Sequence, residues 1–313
     1  MPGLIATLTL NPALDLWTST ERVIPEHKLR CDEPRFDPGG GGINVARAVT
    51  QLGGDALAVF PAGGPSGAVI DRLLSDAGIP HHLIPIPGWT RQSVTVQESA
   101  SGAQFRFVLP GPGLSADDQE ACLGALAAID PAPAFVVLSG SMPPGVDEGF
   151  LNRLGDFCRS RGARLAVDTS GEALDWVHGA CILKPSLREL AALVGRPLDT
   201  LSHQLEATRQ VIHEGRAEIV ALSLGAQGAL LVTATSASRY FAPTVKVESA
   251  VGAGDAMLAG ILVALAEGRS LPEAACYGVA AGSAALLHPG TGLCTRADTE
   301  RLVADVHEAA LAA

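Results

Sequence analysis

Apolar positions along the chain recur in two rhythms that alternate from one end to the other. Short aliphatic runs, ATLTL from residue 6, LAVF from 57, AFVVLSG from 134, RLAVD from 164, CILKP from 181 and EIVALSLG from 218, read as strands. Between them, residues 43–52, 147–161, 202–213 and 255–267 carry apolar side chains at helical spacing, with charges on the remaining positions. Strands alternating with helices predict βαβ units, hence an α/β, mostly parallel, doubly wound sheet with helices on both faces.

Two stretches break the rhythm. Residues 14–36 are polar and punctuated by proline, with a strand-like pattern. Within 89–109, RQSVTVQE and AQFRFVL alternate apolar with polar positions around the turn residues SASG, which predicts a hairpin with one apolar face. Neither stretch is bounded by a flexible linker, so both are expected to form a small β-lid inserted in a single domain spanning residues 1–313. An apolar lid face must fold over a pocket or pair with the lid of a second chain, which points to a homodimer.

Composition narrows the function. At 47% hydrophobic and only 4% aromatic residues, the chain suits close-packed helices on a parallel sheet. A net charge of −11 opposes binding to a phosphodiester backbone and excludes nucleic acid as an expected partner. The six cysteines, Cys31, Cys122, Cys158, Cys181, Cys276 and Cys294, form no CxxC pair, which fits free thiols in a reducing cytoplasm. No targeting segment is evident, and the longest apolar run, residues 256–266, is too short to span a bilayer.

Two glycine-rich segments carry the chemistry. In PGGGGINVARAVTQLGG, residues 38–54, four glycines, Gly39, Gly40, Gly41 and Gly42, run directly into a helix. That brings bare backbone close to a ligand at a helix N-terminus, with Asn44 offering both a donor and an acceptor. Neither a dinucleotide fingerprint at the first strand nor GxxxxGK[ST] is present, so nucleotide binding needs another design. In SAVGAGDAMLAGILVAL, residues 249–265, a glycine turn delivers Asp255 to the first turn of an apolar helix. Capping alone would explain Asp255 but not Gly252, Ala253 and Gly254. The combination predicts a carboxylate base beside amides that cradle charge on a transferred phosphoryl group. No histidine stands in a catalytic pattern; His288, beside Pro289, reads as structural.

Both segments resemble the paired signatures of the ribokinase-like, PfkB-type carbohydrate kinases. TLTLNPALDL, PEHKLR, FPAGG, WTRQS, FVLPG, SGSMPPG, VDTSGEAL and SLGAQGAL follow in that family's order, so the resemblance covers essentially the whole chain. FDPGGGGINVARA, WTRQS and AAGSAALLHPGTGLC are most similar to its 6-phosphofructokinase branch. The resemblance implies ATP- and Mg2+-dependent phosphorylation of fructose 6-phosphate to fructose 1,6-bisphosphate with Asp255 as general base. Fructose 1-phosphate or tagatose 6-phosphate could be served by the same mechanism, whereas a non-catalytic sugar-phosphate sensor would not need the intact GAGD.

By the same resemblance, Asp15, the four glycines, Asn44 and Ser141 would hold the sugar. Arg91 would grip its phosphate, with Arg30 a weaker candidate. Lys184, Ser186, Ser223, Gly225, Gly228 and Ser283 would serve ATP, with Lys28 reaching across a dimer interface. Glu189 would act on magnesium through water. Backbone carbonyls around Ser249, Val251, Ala285 and Gly290 would hold K+. The sequence departs from the family pattern at Ser186, where Asn is usual, and at Ala250, where a hydroxyl residue is usual, and from the branch it most resembles at Gly292, where that branch has Arg. The first of these predicts weaker affinity for Mg·ATP with activity retained.

Overall fold

The structure is a computed structural model and describes residues 3–290 and 292–311. In chain order its elements begin β1 (Ile5–Leu8), β2 (Ala13–Thr20), β3 (Arg35–Gly39), α1 (Gly41–Gln51), β4 (Ala56–Ala62), α2 (Gly64–Asp76) and β5 (His81–Pro85). Then come β6 (Arg91–Glu98), β7 (Gln104–Val108), α3 (Ala116–Ala127), β8 (Phe135–Ser139), α4 (Glu148–Arg161), β9 (Arg164–Asp168) and β10 (Ala180–Leu183). The remainder is α5 (Leu187–Leu193), α6 (Leu201–His213), β11 (Ala217–Ser223), β12 (Ala229–Thr233), β13 (Ala237–Phe241), α7 (Ala253–Ala266), α8 (Leu271–Ala285), α9 (Arg296–Val303) and β14 (His307–Ala310).

Ten strands form one sheet in the order β14-β13-β12-β11-β10-β9-β8-β1-β4-β5. Pairing is parallel from β5 to β11 and antiparallel from β11 to β14. The chain winds outward in both directions from β1, which pairs with β4 on one side and β8 on the other. Such a switch point opens a crevice at the carboxyl ends of the strands, where ligands collect in sheets of this kind.

Each sheet face is covered by its own apolar layer, one formed with α1, α7 and α8, the other with α3, α4 and α6. The strands that enter both layers are buried at every position and mostly apolar, as Phe135–Ser139 and Ile5–Leu8 show, because neither face meets water. Helix α7 lies between α1 and α8, and every residue from Ala256 to Ala264 is buried. That is why its sequence lacks a polar face.

The interrupted rhythm corresponds to a second sheet, ordered β3-β2-β6-β7. The hairpin expected within 89–109 is β6 paired antiparallel with β7. Residues 14–36 do not form one continuous strand: β2 and β3 flank a loop at residues 21–34, where Pro25 and Pro34 withhold ladder donors. β2 pairs with β6 in parallel, placing Ala13 opposite Arg91 and Asp15 opposite Ser93. All five residues of β7 are exposed, and Phe36, Phe107 and Trp89 are 43%, 54% and 71% accessible. No helix among the described residues is long and apolar enough to cross a membrane.

Candidate active site

Asp255 stands in the first turn of α7 and is half-buried, at the edge of the crevice. The first intrahelical bond is donated by the Ala256 amide to the Gly252 carbonyl at 2.8 Å, so the amides of Ala253, Gly254 and Asp255 remain free of the helix ladder. Gly252 precedes the helix with φ 79°, a left-handed conformation that L side chains rarely adopt, and it turns those amides toward the crevice. Asn44, buried on α1, donates from Nδ2 to Asp255 Oδ2 at 3.0 Å. Burial, then the negative charge of Asp168, push the Asp255 carboxyl up to about 7, against the Asn44 hydrogen bond and the cations Lys184 and Arg47. A carboxyl so placed is divided between its acid and ionised forms near neutral pH, and the ionised form can take a proton.

The sugar side is built where the small sheet meets the carboxyl end of β1. Asp15 on β2 sits so close to Gly39 that any side chain there would strike its carboxylate. Burial raises the Asp15 pKa, opposed by Arg106, Arg91 and a Ser93 hydrogen bond. Arg91 donates from Nε to Asn11 Oδ1 at 3.0 Å and from Nη2 to the Asn11 carbonyl at 3.1 Å. Asn11 in turn donates from Nδ2 to Ser141 Oγ at 3.1 Å, joining the lid to the segment after β8. A cavity of about 200 Å³ continues under the lid, with Asp15, Arg35, Asp37, Gln104 and Arg106 among its lining residues.

A larger cavity, about 470 Å³, opens on the other side of the α7 N-terminus. Ser223, Gly225, Gly228 and Ser283 line it, as do Ala250, Ala253 and Gly254. Its walls are mainly apolar, with Val245, Val247, Met257 and Leu286, suited to a flat heterocycle whose polar tail points at the free amides. Lys184, 4% exposed, forms an ion pair with Asp168 at 3.0 Å. Burial pulls its pKa down, but Asp168, followed by Asp255 and Glu189, outweighs that, so the ammonium stays charged.

Ser186 caps α5 and Glu189 closes the box, accepting from the Ser186 amide at 2.7 Å while its own amide donates to Ser186 Oγ. Ser249 and Val251 approach the end of α8, where the Glu248 amide donates to the Leu286 carbonyl at 2.8 Å. Ser249, Val251 and Gly290 line one cavity, with Ala285 at the last turn of α8.

The fold thus gathers Asp255, Asn44, Gly252 to Gly254, Asp15, the four glycines, Arg91, Ser141 and Lys184 around one crevice. It does not bring Lys28 or Arg30 there: both are exposed on the 21–34 loop, without an ion pair or side-chain hydrogen bond among the described residues. Sequence reasoning missed Asn11, Asp168 and Arg106. Asn11 and Asp168 lie inside quoted family segments, TLTLNPALDL and VDTSGEAL, directly after or at the end of a strand, the place where this fold exposes polar side chains to a ligand. Arg106 had only its position on an alternating lid strand to mark it.

The pattern that describes the pfkB family carbohydrate kinases matches residues 10–298. An ATP-dependent 6-phosphofructokinase isozyme 2 of Mycobacterium tuberculosis is 51% identical over 298 residues, covering 95% of this chain and 88% of that protein. The crystal structure of phosphofructokinase-2 from Escherichia coli in complex with potassium superposes with a TM-score of 0.92 at 44% identity, over 97% of this chain and 99% of the other. The same enzyme in complex with fructose 6-phosphate gives 0.90 at 43% identity over the same shares. The two sheets, their helices and the crevice between them are those of the ribokinase-like fold. With nearly its whole length matched in sequence and in architecture, the chain belongs to the pfkB family of carbohydrate kinases.

Proposed function

We propose that this protein is an ATP-dependent 6-phosphofructokinase that transfers the γ-phosphoryl group of ATP to the carbon-1 hydroxyl of fructose 6-phosphate. The observation that carries this reading is Asp255, a half-buried carboxylate bonded to Asn44 beside three free amides. The new bond forms between the sugar oxygen and the γ-phosphorus as the bond to the β,γ-bridging oxygen breaks, releasing ADP. Asp255 accepts the hydroxyl proton, and the amides of Ala253, Gly254 and Asp255 stabilise charge on the transferring group.

The residues present fit the groups this chemistry requires. The 470 Å³ cavity, with Ser223, Gly225, Gly228 and Ser283, takes the nucleoside, and Lys184 lies beside Gly254 where the terminal phosphate would sit. Among the described residues no cluster of three or more His, Cys, Asp or Glu is arranged to hold a metal. The donor set therefore suits magnesium held by nucleotide phosphates and water, with Glu189, near Asp168, acting through water. Bound magnesium supplies charge neutralisation on the phosphates. Carbonyls of Ser249, Val251, Ala285 and Gly290 would hold K+. Arg91 and Arg106, which flank Asp15, recognise the 6-phosphate. A second copy of the chain would cover the exposed face of β7, carrying Lys28 toward the partner's nucleotide and Arg30 toward its substrate.

The test is ADP release by the purified protein with Mg·ATP and K+, comparing kcat/KM for fructose 6-phosphate, tagatose 6-phosphate, fructose 1-phosphate and fructose. A clear lead for fructose 6-phosphate supports the proposal. A lead for another sugar overturns the substrate, and no turnover with any of them overturns the reaction.

A further inference from the structure

Arg47 has no role in the reaction described above, yet it is two bonds from its centre. It sits one turn after Asn44 on α1, and its Nη1 donates to Asn44 Oδ1 at 3.3 Å and to the Pro38 carbonyl at 3.2 Å. On the far side of the same amide, Asn44 Nδ2 meets Asp255 Oδ2 at 3.0 Å. The chain of contacts runs from the residue before the glycine loop, through a guanidinium and an amide, to the carboxylate.

A guanidinium can only donate, so the atom of Asn44 that faces it must be the carbonyl oxygen. The amide group must then face Asp255. Without Arg47 that choice is open, because a protonated Asp255 could donate to a flipped Asn44 as readily as an ionised one accepts from the native orientation. The two orientations have opposite effects: a donor facing the carboxyl favours its ionised form, an acceptor favours its acid form.

We propose that Arg47 is a positioning residue for phosphoryl transfer: it locks the Asn44 amide so that Oδ2 of Asp255 is permanently occupied and Oδ1 is left to take the proton. This rests on the reading of Asp255 as the base. The charges around the pair support it. Arg47, half-buried, is faced by Asp37, Asp15 and Arg35 of the small sheet and by Asp255 of α7. Asp255 is faced by Asp168 at the end of β9, Lys184 after β10 and Arg47 of α1. Of the cations, Arg47 is the one joined to Asp255 through a hydrogen-bonded neighbour, and it also ties that neighbour to the glycine loop at Pro38.

The experiment compares the full-length protein with Arg47→Met and Arg47→Lys by carbon-13 NMR of the aspartate carboxyl groups, with Asp255→Asn to assign the resonance, alongside the pH profile of kcat. Arg47→Met is expected to move the Asp255 titration midpoint upward by about one pH unit, a tenfold change in its proton affinity. The acid limb of kcat should rise with it, kcat at pH 7 should fall about fivefold as the ionised fraction drops, and KM for Mg·ATP should hold. Arg47→Lys keeps a donor-only cation and should return the midpoint toward the wild-type value. An unmoved midpoint in Arg47→Met, or equal displacement in the Met and Lys variants, overturns the proposal. Should Arg47→Met not fold, Arg47→Gln, which can both donate and accept, is expected to show the same displaced midpoint. The titration needs no turnover: a displaced midpoint without fructose 6-phosphate kinase activity sinks the proposed reaction, whereas turnover with an unmoved midpoint sinks the role of Arg47.

Discussion

The ion pair between Lys184 and Asp168 gives a prediction whose size can be worked out. The side chains are 5% and 15% exposed and meet at 3.0 Å. At an effective dielectric near 20, the attraction between unit charges at that separation is about 5.5 kcal/mol, which offsets much of the desolvation of both groups. In Lys184→Met the attraction is lost while Asp168 stays enclosed beside Asp255, and removing one partner of a buried pair costs about 3–5 kcal/mol. Unfolding entropy near 2.1 cal/mol/K per residue gives about 0.66 kcal/mol/K for a chain of this length, so Tm should fall by about 6 °C. The assay is urea unfolding followed by circular dichroism, with thermal scans in parallel. The decisive comparison is Lys184→Met with Asp168→Leu: the double variant, with no stranded charge, should recover more than half of the loss. A single variant within about 1 kcal/mol of wild type, or a double variant no more stable than Lys184→Met, would refute the reasoning.

Four further outcomes follow from named groups. Because the Asp255 carboxyl is pushed up to about 7, kcat/KM for fructose 6-phosphate should rise with pH through that region in a buffered pH series. The same shift has a stability consequence: a carboxyl raised above its unfolded value favours the fold at pH below about 4, and that contribution is lost as pH rises to about 7. Asp255→Asn should therefore gain in urea midpoint over wild type at pH 8 but not at pH 4, while losing turnover by about 10²-fold or more. Arg106→Leu should raise KM for the sugar phosphate about tenfold and leave KM for Mg·ATP unchanged, because Arg106 lies on the lid near Asp15, away from the nucleotide cavity. Ser186→Asn should lower KM for Mg·ATP with stability within about 0.5 kcal/mol, since Asn caps a helix as well as Ser.

The strand and helix pattern was legible because both faces of the large sheet are apolar and the covering helices keep their period. Helices expected at 43–52 and 255–267 occupy Gly41–Gln51 and Ala253–Ala266. The phosphoryl-transfer segment was legible because glycines and Asp255 are contiguous in sequence. What could not be read was convergence. Asn44 and Asp255 are 211 residues apart, and nothing local announces that one bonds the other. Arg91 stood out as a cation in WTRQS, but its engagement by Asn11 depends on β2 pairing in parallel with β6, a register no local pattern specifies. Arg106 alternates with Phe105 and Phe107 like any wet-face residue of a hairpin, and only the pairing of the small sheet sets it, still exposed, along the cavity that holds Asp15.

The distance along the chain between Asn44 and Asp255 also bears on how the protein is made. Strands β1, β4 and β8 and the glycine segment emerge early from a ribosome and can pair among themselves before the rest of the sheet is made. The carboxylate arrives on α7, which then has to dock against α1, and its packing is completed by α8, which follows it. A nascent chain can therefore assemble its sugar cradle while lacking the group that would act on a sugar held there. Synthesis runs at about 5–20 residues per second, so roughly 10 to 40 seconds separate Asn44 from Asp255. During that interval a growing chain on the ribosome has no base with which to consume ATP.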